Sequence, residues 1–97
     1  MIVTEESDSR ILLHLPEEFN FKTNMAFQEC YRHRDPGKSY AIDFQQVTSF
    51  DSSALGMLLL MRDHCGGDKA DIHLINCNPR VKKILETAMF STYFHIA

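Results

Sequence analysis

Asp51, Ser52 and Ser53 stand side by side and open a run, Ala54 to Met61, in which every residue except Gly56 is apolar. Each of the three polar residues is a good helix N-cap, because its side-chain oxygen can accept from the free backbone N–H groups of a first turn. The same place can hold a phosphate, since the positive end of a helix dipole favours negative charge. A third use, as a nucleophile, needs a positioned base and an oxyanion hole, and the turn lacks a G-x-S-x-G pattern. His64 is the nearest histidine along the chain, but it lies at the far end of the same run. At 1.5 Å of rise per residue it sits roughly 15 Å or more from Ser52, too far to take its proton.

His64, Cys65, His73 and Cys77 are the other residues able to do chemistry. Their spacing fits no zinc pattern, and His73 falls in the middle of a predicted strand, so no metal and no cofactor is expected. The three cysteines are odd in number and form no C-x-x-C pair. They read as reduced, mostly buried thiols of a cytoplasmic protein.

The elements that position the serines follow from periodicity. The run after Ser53 is apolar nearly all round, so it is a helix buried on most sides, or one that lends part of its surface to a partner. Arg62 and His64 suit its negative end, and Gly66-Gly67 supplies a left-handed stop. Gly56 reads as a point of close packing; the Leu and Met residues read as core, with Met57 or Met61 partly presented to a partner. Before it, Met1 to Glu6 and Arg10 to Leu15 form an antiparallel hairpin about Ser7-Asp8-Ser9, with Ile11, Leu13 and Leu15 on one face. Pro16-Glu17-Glu18 stops the second strand. A first helix follows Phe19 to Thr23, capped by Asn20 or Thr23, with Arg32-His33-Arg34 as its basic last turn and Asp35-Pro36-Gly37 as its stop. Ser39 to Phe44 is a third strand in which Tyr40, Ile42 and Phe44 alternate with Ala41 and a structural acid, Asp43. Gln45 to Phe50 connects it to the serines. Asp71 to Asn76 is a fourth strand. Asn78-Pro79 starts a last helix with a stripe of Val81, Ile84, Leu85 and Ala88. Thr92 to Ile96 is a short edge strand or a last turn.

This order predicts one α/β domain with a mixed sheet of four to five strands and helices mainly on one face. The third and fourth strands, joined by the central helix, are parallel. Leu55, Leu58, Leu59, Ile84 and Leu85 are the expected core of the helical layer. At 97 residues the chain fits a single domain, 1–97. Its hydrophobic share of 44 % builds a core, and its net charge of −3 without a basic stripe argues against nucleic acid. The longest apolar run is too short to cross a membrane, and the acidic N-terminus MIVTEESD does not read as a secretory signal.

Three segments resemble one family. AIDFQQVTSFDSSALG is similar to the strand and Asp-Ser-Ser-Gly-Leu-Gly-like loop of STAS domains. IHLINCNPRVKKILETAMF resembles the family's last strand and helix, and FNFKTNMAFQECY its first helix. STAS domains include anti-sigma factor antagonists and the cytoplasmic ends of sulfate transporters. In the antagonist branch, a partner kinase phosphorylates the serine directly after the aspartate, which here is Ser52. Two positions depart from the pattern. Ala54 replaces a usual glycine and is expected to stiffen the loop; Asn20 replaces an aspartate that many members carry beside the phosphosite.

The resemblance implies a non-enzymatic switch whose unphosphorylated form binds an anti-sigma factor that is also a serine kinase. Phosphorylation of Ser52 ends that binding, and a serine phosphatase restores it. Asn20, Asp51, Ser52, Ser53 and Met57 are the expected partner-binding residues. Ser53 reads as a structural cap, and Asp51 as a second cap or as a group that orients the Ser52 hydroxyl and helps a kinase bind. The alternative is an accessory subunit held permanently on a transport ATPase with no phosphorylation cycle. Neither reading calls for a membrane or a nucleic acid as partner, and nothing in the sequence fixes an oligomeric state.

Overall fold

Alternating side chains make the sheet, and one strand lies at its middle. In the computed structural model, which describes Met1 to Ala97, the main strands are β1 (Val3–Glu6), β2 (Arg10–His14), β4 (Ser39–Asp43), β6 (Ile72–Ile75) and β7 (His95–Ile96). They hydrogen-bond in the order β1-β2-β4-β6-β7. Only β1 and β2 are antiparallel, as a hairpin with so short a turn must be; every other pairing is parallel. The β4–β6 crossover runs through the central helix, as expected. Ile11, Leu13, Leu15, Tyr40, Ile42, Phe44, Ile72 and Leu74 share the face that meets the helices.

The helices are α1 (Asn24–Tyr31), α2 (Ser52–His64) and α3 (Pro79–Thr87). Phe27 and Tyr31 of α1, Ala54, Met57, Leu58 and Met61 of α2, and Val81 and Leu85 of α3 join the same core. The start of α3 is as its residues dictate. Asn78 accepts from the Val81 N–H, and Pro79 occupies a first-turn position that has no N–H to lose. At the end of α2, Gly66 takes φ of +105° and Gly67 +61°, a conformation that costs other residues strain. Thr92 to Ile96 contains both readings: the end of a 3-10 turn over Phe90–Thr92, then β7.

Several expectations are corrected. Two two-residue strands, β3 (Glu18–Phe19) and β5 (Ser49–Phe50), lie where a strand stop and a connector were read. They pair in parallel as a separate ladder, too short to show any period in sequence. The helix after Phe19 begins as a 3-10 turn, Phe21–Thr23, and Arg32 to Arg34 lie beyond the end of α1. The central helix is not buried on most sides. Successive residues turn by 100°, so the stripe Ala54, Met57, Leu58, Met61 leaves Leu59 and Leu60 pointing outward, 37 % and 54 % exposed. Leu55 and Ile84 are half-buried. Met57 and Met61 lie in the core. A Cβ on Gly56 would meet nothing within 4 Å, so close packing is not its role. Of the thiols only Cys65 is buried; Cys30 and Cys77 are half-buried and all three are free.

The other face of the sheet carries Leu12, His14, Ala41, Asp43, His73 and Ile75, and it packs no helix. Asp43 is a hydrogen-bonded structural acid there. It accepts from His14 Nδ1 at 2.9 Å, Asn76 Nδ2 at 3.0 Å and the Gln45 N–H at 2.9 Å. Burial opposes its charge, but the bonds from Asn76, Gln45 and His14 together hold its carboxyl below the usual range. Glu5 takes the other nitrogen of His14, and this bond, with that of Asp43, raises the histidine's pKa.

Two expected outcomes follow from this packing. Leu58→Ala removes a fully buried side chain and should cost about 2–5 kcal/mol in denaturant unfolding, whereas Leu59→Ala, one residue on, should cost under about 1 kcal/mol. Because folding raises the His14 pKa, its charged form stabilises the fold most fully below the unfolded value of about 6.5. That stabilisation fades as pH rises through the folded pKa, so the melting temperature should drop over that interval in wild type and less so in His14→Asn.

Candidate functional site

The site is built where two short segments meet. β3 delivers Asn20 and Phe21, β5 delivers Asp51, and the β3–β5 ladder pairs Phe19 with Phe50. The first turn of α2 then has four free N–H groups to satisfy. Asp51 is the N-cap: its Oδ1 accepts from the Ser53 N–H at 3.0 Å, and its carbonyl accepts from the Ala54 N–H at 3.1 Å. The Ser53 hydroxyl also donates to Asp51 Oδ1, and it accepts from the Phe21 N–H at 3.0 Å. Ser53 is therefore not the cap it was expected to be, since Asp51 holds that place and the Ser53 hydroxyl accepts from no N–H of α2. It ties the α1 approach to the head of α2. The Ser53 hydroxyl, followed by the backbone amides, holds the Asp51 carboxyl below its ordinary pKa, so it is charged at neutral pH.

Ser52 is different. It is the first residue of α2, it is exposed, and its hydroxyl makes no hydrogen bond to the protein. Neighbouring serines thus do unlike things: one hydroxyl is locked into structure and the other is free.

Of the residues expected to contact a partner, the structure brings Asp51, Ser52 and Ser53 together at one end of α2. Asn20 is close in space but committed to its own loop. It is buried, its Oδ1 accepts from the Lys22 N–H at 2.9 Å, and its own N–H donates to Thr23 Oγ1 at 3.2 Å. An aspartate could make the same cap, so the missing acid leaves the loop's geometry intact. Met57 is not presented at all; it is 5 % exposed and faces the sheet. Ala54 is also fully buried within α2 and stiffens no loop.

Sequence reasoning allowed α2 an outward apolar side but named Met57 or Met61 for it instead of the residues that form it. Ser52, Leu55, Gly56, Leu59, Leu60 and Asp63 recur at helical spacing along the outward side of α2. Leu55 also lines an open groove of about 390 Å³ with Ile84, Ala88, Lys83 and Thr87 of α3 and its end. Phe21, 67 % exposed, stands next to Ser53. No local pattern marked it: strand alternation would put Phe21 on the same face as Phe19, and it points outward because the chain leaves the strand for a 3-10 turn at Phe21.

His64, Cys65, His73 and Cys77 are not brought to one point. The His64 ring lies against Tyr31, Cys65 is buried, and His73 bonds Asp71.

A family model described as "Mlab, STAS domain" matches residues 2–94. The chain belongs to the STAS domain family. A STAS-domain containing protein of Pseudomonas aeruginosa is 41 % identical over 88 residues, covering 90 % of this chain and 87 % of that one. The STAS fold is shared with solved structures at lower identity. An unphosphorylated anti-sigma factor antagonist, SpoIIAA, superposes with a TM-score of 0.81 at 15 % identity, over 100 % of this chain and 88 % of the other. A Thermotoga maritima protein described as a candidate antagonist gives 0.82 at 18 %, over 98 % and 84 %. Bacillus SpoIIAA in its phosphorylated form gives 0.66 at 14 %, over 100 % and 91 %. At these identities the likeness concerns the fold. No helix of this STAS domain is long and apolar enough to cross a membrane.

The unequal serines make a direct expectation for stability. Ser53→Ala removes the acceptor of the Phe21 N–H, a solvent-exposed bond, and should cost about 0.5–1.5 kcal/mol. Ser52→Ala removes an exposed, unbonded hydroxyl and should change unfolding free energy by less than about 0.5 kcal/mol.

Proposed function

We propose that this STAS domain is an anti-sigma factor antagonist that works as a switch, with Ser52 as the phosphorylated residue. It has no catalytic role of its own; it binds an anti-sigma factor that is also a serine kinase, and a serine phosphatase resets it in the cytoplasm. The observation that carries the reading is the free Ser52 hydroxyl at the head of an exposed apolar helix face. A kinase must reach the acceptor oxygen without dismantling structure, and Ser52 offers that while Ser53 does not.

The consequences of phosphate at this point are electrostatic. It adds nearly two negative charges beside Asp51, at the positive end of α2. The helix itself tolerates or welcomes the charge. A partner covering Leu55, Gly56, Leu59 and Leu60 does not, because it would bury that charge without a counter-ion. Gly56 contributes in this scheme by absence. It lies one turn from Ser52 on the same face, leaving bare backbone for the partner to approach. That two forms of SpoIIAA, phosphorylated and not, share this fold supports the reading as a precedent.

The α2–α3 groove favours a second reading, a subunit docked permanently on a transport ATPase, since an apolar groove suits a stable interface with no cycle. One pair of variants separates them. The protein purified from its host should carry phosphate on Ser52 by peptide mapping. Ser52→Glu should remain folded yet bind the anti-sigma factor captured by Ser52→Ala at least about a hundredfold more weakly, a loss of about 2.7 kcal/mol. Equal binding by a folded Ser52→Glu, with no phosphate on Ser52 in the host, would remove the switch and leave the docked subunit.

A further inference from the structure

β6 and β7 lie in parallel register with His73 opposite His95, on the sheet face that packs no helix. Their imidazole rings stack with centroids 4.4 Å apart and planes 20° from parallel. Asp71, two residues before His73 and so on the same face, reaches both. Its Oδ1 lies 2.9 Å from His73 Nε2 and 3.5 Å from His95 Nε2. Ligand-type atoms of all three residues fall within 4.8 Å of one another.

We infer that Asp71, His73 and His95 form a binding site for a divalent transition-metal ion, of which zinc is the natural probe. Two imidazoles and one carboxylate are donors such ions prefer, whereas magnesium and calcium favour oxygen alone. Metal–donor bonds of about 2.0–2.2 Å in a tetrahedron put neighbouring donors roughly 3.3–3.5 Å apart. The two separations from Asp71 lie near that value, while the stacked rings must rotate out of parallel to aim both Nε2 lone pairs at one ion. The side chains are accessible: 36 % for His73, 50 % for Asp71 and 68 % for His95.

The ion would tie β7, a two-residue strand at the end of the chain, to its neighbour β6. It would act away from Ser52. Asp71 lies at the amino end of β6, and the serines follow the carboxyl end of the parallel strand β4.

The test is calorimetric titration of the full chain with zinc under reducing conditions. Wild type should bind one ion per chain and gain thermal stability, and excess magnesium should not compete. Asp71→Asn and His95→Ala, both at exposed positions, should each bind at least about tenfold more weakly, since even outer partners of a metal site cost that much when lost. Neither should show the zinc-dependent rise in melting temperature, while Ser52→Glu should keep both responses. Three results would overturn the site: no saturable binding by wild type, binding unchanged in Asp71→Asn and His95→Ala, or binding lost only in Cys30→Ser or Cys77→Ser.

Discussion

Three phenylalanine rings hold the serine end of α2 in place. Phe19 stands edge-on to Phe44, with centroids 5.9 Å apart, and stacks with Phe50 at 6.2 Å; Phe44 meets Phe50 edge-on at 5.8 Å. A two-residue ladder such as β3–β5 has too few hydrogen bonds to stand alone. The rings bury both of its ends and fix them to β4, the strand at the middle of the sheet. Everything at the site inherits its position from this cluster. Phe19 sets where Asn20 and Phe21 emerge, Phe50 sets where Asp51 caps α2, and the Ser53 bond to the Phe21 N–H is short only because the two segments already lie side by side. Phe27 extends the cluster into α1 at 5.0 Å from Phe19, coupling the first helix to the same anchor.

The sheet, its parallel core and the caps of α2 and α3 were legible because each rests on a local rule. Ile11, Leu13 and Leu15 alternate, Asn78-Pro79 opens a helix, and Gly66-Gly67 closes one. Asp51, Ser52 and Ser53 were legible as a group for the same reason. What was hidden is what depends on partners distant in sequence. Nothing in Ser52 or Ser53 says which hydroxyl is engaged, because the deciding N–H belongs to Phe21, over thirty positions earlier. The outward face of α2 was hidden by its own composition. With apolar residues all round, the hydrophobic pattern marks no direction, so Met57 and Leu59 could not be assigned to opposite sides. β3 and β5 were invisible because two residues carry no period. The pairing of His73 with His95 depends on β6–β7 register, which no spacing records.

Charge sits at one end of α2 and exposed apolar surface runs along its outward side. Asp51 keeps a negative charge at the N-terminus, stabilised by the Ser53 hydroxyl and the first-turn amides. A phosphate on Ser52 would deepen that negative charge over the nearest turn without touching the core stripe of Ala54, Met57, Leu58 and Met61. Fold stability and surface chemistry are carried by opposite sides of one helix, which lets the second vary while the first stays fixed.

The margins of the five-stranded sheet have a bearing on solubility. An open sheet ends in strands whose outer N–H and C=O groups could recruit copies of the same chain into larger aggregates. Here β1 carries Glu5 and Glu6, whose side chains are engaged by His14, Arg34 and Lys38, and β7 spans two residues. Charge guards one margin and brevity the other. A chain that displays Leu59 and Leu60 along a helix already risks indiscriminate sticking. With charge and brevity guarding its edges, the sheet adds no second route to association beside those leucines.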